Sequence, residues 1–407
     1  MVNNSSFLCG YFSAHQNPVL SSAWQQHTYT PEERSNLQNY YFPEFAQCMA
    51  DDITMHTLPI DKDCSLTLGD EKVVFHVRDL KLWVAPFHII LYAVSLRFEN
   101  QEFNTITRTL NSLRNCPYYT EAHDPFIALA LQPIIAIFKQ TALAAKEGEA
   151  ASGRDYSRLV ESGNKFKIFQ IMQPLEPIQS GDEDLMLYDA GTLAPHTPLS
   201  TGINSPEYIA HILEGHKVSV FAGWTGLALL DTFTLLTTNT PERVISIWEK
   251  DYFEKIYVYQ LFRKVFLYSV NLRYRRRTED VVALEQQLDL FEQKYSYTAI
   301  SYNFLPNIIN FNMEKSLNTQ RDYDQLNRMI SKEIEARREQ GEEKTNKFLT
   351  FLTCLTIFSA VYDCASLINE SFGYDTIFPN GFIGFRLVGT VLLLSVVIVY
   401  FFLSRKK

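Results

Sequence analysis

FLTFLTCLTIFSAVYDCASLI (residues 348–368) is followed, after a short polar loop, by LVGTVLLLSVVIVYFFL (residues 387–403) and a terminal Arg405-Lys406-Lys407. Each run is about long enough to cross a hydrocarbon core of roughly 30 Å at 1.5 Å per residue. The pattern predicts a transmembrane hairpin with a first span over 348–368, an outer loop over 369–382, a second span within 383–403 and a basic tail at 404–407. Lys344 and Lys347 precede the first span and three basic residues follow the second, whereas the loop carries Glu370 and Asp375 and no Lys or Arg. By the positive-inside rule both ends of the hairpin are cytoplasmic, which implies a multi-pass inner-membrane protein in contact with lipid. Arg386 lies at the outer end of the second span, within snorkelling reach of headgroups.

Working outward, about 340 residues remain for a cytoplasmic body, enough for one large or two ordinary domains. Residues 1–16 show no basic region followed by an apolar core, so no signal peptide is expected. A formal net charge of -9 argues against a nucleic-acid scaffold and leaves room for a small anionic ligand in a local basic pocket. The six cysteines form no CxxC pair, which suits reduced thiols and suggests no zinc site.

Residues 1–240 read as an α+β domain, divided near 148–163 by a Gly-, Ser- and charge-rich connection into two halves of loosely similar pattern. Thr30-Pro31-Glu32-Glu33 marks a helix start. Strands are predicted at 64–68 and 72–78 around a Gly69-Asp70 turn, then at 81–85 and 89–98, with a helix over 102–114 packed on them. An apolar helix follows over 125–146, kinked at Pro133. The second half predicts strands at 165–173, 217–224 and 227–236, a helix at 205–214, a long loop over 175–206, and a turn at Trp224-Thr225-Gly226.

From Thr240-Pro241-Glu242 onward the pattern is helical, forming a stalk over 241–347. Pro306 marks a break, after which one helix of about 60 residues, roughly 95 Å long, would run into the first span. Along that span Asn346, Thr350, Thr353, Thr356, Ala360, Asp363 and Leu367 recur at steps of three and four, a narrow polar seam on an otherwise apolar helix. A carboxylate at mid-span costs about 2.5–3.5 kcal/mol or more, so the seam faces either water in a pore or a packed neighbour. In a symmetric ring Asp363 would repeat around the axis and attract cations.

This order of elements resembles the CorA family of two-span divalent-cation channels. The resemblance covers roughly residues 241–407, and it implies a homopentamer with the first span lining the pore and magnesium as the ion. The family's Gly-Met-Asn signature at the outer mouth reads Leu367-Ile368-Asn369 here, so only Asn369 is kept. Divergent CorA-like proteins accompany type III CRISPR systems, and the likeness to them implies an antiviral effector gated by a nucleotide messenger, such as a conjugate of S-adenosylmethionine and AMP. A housekeeping magnesium transporter is the alternative. The fold class expected is thus an α+β domain, long helices and a C-terminal two-helix transmembrane hairpin.

The best local anion site in the sequence is the basic knot Arg273, Arg275, Arg276 and Arg277 with Tyr274 among them, set against pairing with Glu279, Asp280 and Glu285. His123-Asp124 reads as a cap on the following helix. With no G-x-S-x-G, no phosphate loop and no Cys/His pair in context, an enzyme is not expected.

Overall fold

Val2–Ser13 (β1) is buried along almost its whole length, because it is the middle strand of one large sheet and is covered on both faces. The computed structural model describes residues 1–118, 120–141, 159–160, 165–179, 181–197, 205–238, 240–372 and 389. Its other strands are Gln25–Gln26 (β2), Thr54–Leu68 (β3), Glu71–Ala85 (β4), Ile89–Gln101 (β5), Lys167–Pro174 (β6), Lys217–Val218 (β7), Trp224–Ala228 (β8) and Thr232–Thr237 (β9). They form one nine-stranded mixed sheet in the order β2-β3-β4-β5-β1-β6-β9-β8-β7, in which β6 and β9 are parallel. The two ends of the domain, on either side of residues 142–164, therefore share a single sheet, with β1 paired to β5 on one edge and to β6 on the other.

Period-two alternation along β1 sends its aromatic rings to opposite layers. Phe7 stacks on Phe253 at 3.9 Å, beneath a continuous helical run made of Glu242–Ile247, a π-helical stretch Trp248–Tyr257, and Val258–Arg276. Phe12 meets Phe138 edge-on at 5.1 Å on the other face, where the helices Phe103–Arg114 and Gln132–Thr141 lie. The result is a helix–sheet–helix sandwich, an α/β arrangement.

Several predicted elements stand. The helix Pro31–Tyr40 opens on a full capping box between Thr30 and Glu33. Gly69 adopts φ +65 in the β3–β4 turn, a conformation that glycine reaches without steric cost. Other elements differ. Residues 224–226 belong to β8, not to a turn, and the predicted strand at 227–236 is two antiparallel strands, β8 and β9. The loop predicted over 175–206 contains the helix Glu183–Thr192. Ahead of Pro133 the chain widens into a π-helical turn, Ile127–Leu131, and residues 142–146 of that predicted helix lie outside the described residues. Pro306 lies inside the helix Phe304–Leu317, and the break falls at Asn318, whose φ of 55 separates that helix from Thr319–Phe372.

The transmembrane hairpin is overturned. Among the described residues no helix is long and apolar enough to cross a membrane. Thr319–Phe372 is 54 residues long, but its first half is charged and its later part is interrupted by Thr350, Thr353, Thr356 and Asp363. The three threonine hydroxyls donate to the carbonyls of Asn346, Leu349 and Leu352, so they are satisfied within their own helix. The second predicted span, 383–403, lies outside the described residues except for Gly389. The expected inner-membrane location and ion-channel character fall with the hairpin. Met1–Arg328 and Met329–Lys407 are separate compact units, the second containing most of this helix.

Tyr92 crosses β1 at Gly10, its cross-strand partner, and its hydroxyl donates to the Leu159 carbonyl at 2.9 Å. A Cβ at Gly10 would lie 2.2 Å from the Tyr92 ring. Gly10→Ala is therefore expected to cost about 1–3 kcal/mol of stability in chemical denaturation, from overpacking at the centre of the sheet.

Candidate functional site

Three strand pairs lose register around one point. β4 and β5 slip between Val77 and Asp79, β3 and β4 between Pro59 and Lys62, and β1 and β5 between Val2 and Asn4. Bulges bend a strand and re-aim the side chain at the irregularity. Here they turn Arg78 into a polar cleft of about 400 Å³. The head of β1 contributes Asn3, Asn4 and Ser5, and the end of β5 contributes Arg97, Glu99 and Asn100. Gln173 and Leu175 follow from β6, and the overlying helix adds Glu242, Ile245 and Glu249.

Much of this lining is held in place. Arg78 Nη1 donates to Glu249 Oε2 at 3.1 Å, and the guanidinium sits 5.7 Å over the Phe7 ring. Ser5 Oγ donates to the other oxygen of the same carboxylate. Glu249 reaches them from the π-helical stretch Trp248–Tyr257, a rare geometry that often marks a functional position. The Asn100 amide, at φ 50, donates to Asn3 Oδ1 at 2.8 Å. Asn4 is buried, accepting from Ser6 Oγ at 2.5 Å and donating to Met172 Sδ at 3.2 Å. Arg97, more exposed, has its Nε 3.8 Å from Glu99. Cross-strand from Arg97 on β4 is His76. The cleft thus offers two guanidinium groups, side-chain amides and carboxylates, with Leu175 and Ile245 as its apolar members.

No family model, curated protein or solved structure matches this chain.

The basic knot lies elsewhere, at the C-terminus of Val258–Arg276, where cations oppose the negative helix end. Arg273 pairs with Glu279 at 2.6 Å and Arg275 Nε donates to Asn271 at 3.0 Å. Arg276 and Arg277 are exposed and Tyr274 is half-buried. None of the five lines the cleft. Asn346, Thr350, Thr353, Thr356, Ala360, Asp363 and Leu367 are all exposed along Thr319–Phe372. Asn369 falls in the same helix, with its side chain outside the described residues. The pore they were to line requires a membrane-crossing helix and is set aside with it, as is a pore cation at Asp363. Among the described residues no group of three or more His, Cys, Asp or Glu is placed to hold a metal ion. His123 is buried between Ser112 and Thr120, and burial pulls its pKa below the ordinary imidazole value.

Reading the sequence alone misses the cleft because its residues are distant in the chain and assemble only through the strand order. The Arg78-Asp79 pair, where the alternation of β4 slips, and the Asn3-Asn4-Ser5-Ser6 run at the head of a buried strand are the signals that could have pointed to it.

Removing Arg78 leaves the part-buried Glu249 carboxylate without its cation. Arg78→Met is expected to cost about 1–3 kcal/mol in urea denaturation, and Arg78→Met/Glu249→Gln to recover part of that loss.

Proposed function

We propose that the α/β body is a receptor for a small nucleotide messenger, bound in the polar cleft, and that the protein acts by sensing this ligand, not by transforming it. The observation that carries this reading is Arg78, set between two bulges, fixed by Glu249 and Phe7, and opening onto a cleft it shares with Arg97. Guanidinium groups match phosphate oxygens in charge and geometry. Asn3, Asn100 and Gln173 supply donors and acceptors for a base edge or ribose hydroxyls, and Glu99 and Glu242 suit a positive group. A conjugate of S-adenosylmethionine and AMP presents all three chemistries. Among the described lining residues none is aromatic, so base recognition would rest on hydrogen bonds in place of stacking. The proposal extends to an antiviral, CRISPR-associated setting and a homo-oligomeric assembly, and what supports these is the succession of an α/β body and long helices, without the hairpin.

Calorimetric titration of the full chain with the conjugate, with AMP and with S-adenosylmethionine tests this. The conjugate should bind more tightly than either part, and Arg97→Ala should weaken it by roughly tenfold or more through loss of a charge-assisted contact. Unchanged binding in Arg97→Ala, with loss in Arg275→Ala/Arg276→Ala, would move the site to the basic knot.

A further inference from the structure

His196 stands in the segment between the helices Glu183–Thr192 and Pro206–His216, and both of its ring nitrogens face carboxylates. Nδ1 lies 2.9 Å from Asp189 Oδ2 and Nε2 lies 2.9 Å from Asp182 Oδ2. A neutral imidazole carries one N–H, so only the imidazolium can donate to both. The same residue ties its backbone to a third element. Its N–H donates to Asn104 Oδ1 at 2.7 Å, the Asn104 amide returns a bond to the His196 carbonyl at 3.5 Å, and the Phe103 ring meets the imidazole edge-on at 5.6 Å. We propose that His196, gripped between Asp182 and Asp189, is a proton-operated clasp that holds residues 193–197 against the helix Phe103–Arg114 and releases them when the ring loses its proton.

The surroundings make the grip depend on charge. The Asp189 side chain is only 9% exposed and that of His196 25%, so water screens this contact far less than a surface pair. The Phe103–Arg114 helix presents the uncharged Phe103 ring to the imidazole and the uncharged Asn104 side chain to the His196 backbone. On the Glu183–Thr192 helix the next acid, Asp184, is engaged by Lys217 at 2.5 Å. Asp182 and Asp189 are therefore the charges that face the imidazole. Loss of the proton would set a nitrogen lone pair against a carboxylate oxygen at 2.9 Å.

The direction with pH follows from these contacts. Burial pulls the His196 pKa down, but the bonds to Asp189 and Asp182 outweigh it and hold it above the ordinary 6.5. Its contribution is thus fully present below that value and is lost as pH rises through the higher folded-state pKa. Burial also pushes the Asp189 carboxyl above its ordinary range, against the pull of His196, so its anion is least costly while the ring is charged. The Asp189 linkage falls lower, between the ordinary carboxylate value and its raised folded-state one, so the loosening as pH rises above 6.5 belongs to His196. His76 is held in the same way by Asp61 and Asp63, but those carboxylates are 89% and 73% exposed, and solvent competes for them.

Hydrogen–deuterium exchange of the full chain, corrected for intrinsic rates, reads the clasp directly in peptides covering residues 193–197. Protection should fall by about tenfold or more between pH 6.5 and 8.5 in the unmodified protein, and should be low and flat across that range in His196→Gln. Protection that stays constant with pH, or a transition that persists in His196→Gln, overturns the proposal. Should the variant fail to fold, the imidazole titration of His196 by nuclear magnetic resonance in the unmodified protein decides: a midpoint at or below 6.5 overturns it and one above supports it.

Discussion

The structure depends on one strand, β1, whose residues Val2–Cys9 are paired on both edges and covered on both faces. β1 donates and accepts backbone hydrogen bonds on both sides, to β5 and to β6, and its side chains enter the helical layers above and below the sheet. A buried backbone polar group left unpaired costs about as much as a lost hydrogen bond, so a strand in this position must be matched along its length. That constraint joins the two ends of the domain. β6, which follows the undescribed residues 161–164, closes the second edge of a strand made by the first residues of the chain.

The same constraint accounts for the cleft. At the head of β1 the buried run changes from Phe7 and Leu8 to Asn4, Ser5 and Ser6, all nearly inaccessible to solvent. These groups need partners, and they find them in one another, in Met172 and in Glu249. Where the apolar layer gives way to this polar one, strand register slips and the overlying helix widens, so the ladder's regularity ends at the point where recognition chemistry begins.

Local signals are legible: Thr30 and Glu33 mark a helix start, Gly69-Asp70 a turn, and the helix expected over 102–114 is Phe103–Arg114. β1 is not, since a strand covered on both faces lacks the alternation that identifies strands, and its polar head disguises the rest. The terminal stretch misleads for the opposite reason. Phe, Leu and Ile at 348–368 match the length of a span, but hydroxyls every third residue and Asp363 lower the apolar character that length alone suggests. The basic knot drew attention because its arginines are adjacent in sequence, whereas Arg78 and Arg97 become neighbours only across paired strands.

The π-helical turns between Trp248 and Tyr257 govern how a change of length would act on this chain. A π turn holds about one more residue than an α turn for the same rotation, so a one-residue deletion that restored α-helical winding in a turn would leave the flanking segments in phase and re-aim only side chains within the π stretch, Glu249 among them. Upstream lies the cleft wall and downstream lie Arg263 and Lys264, bonded to Glu314 and Asp322. Loss of one residue from this stretch would therefore re-aim the cleft's carboxylate while leaving the ion pairs further along in place.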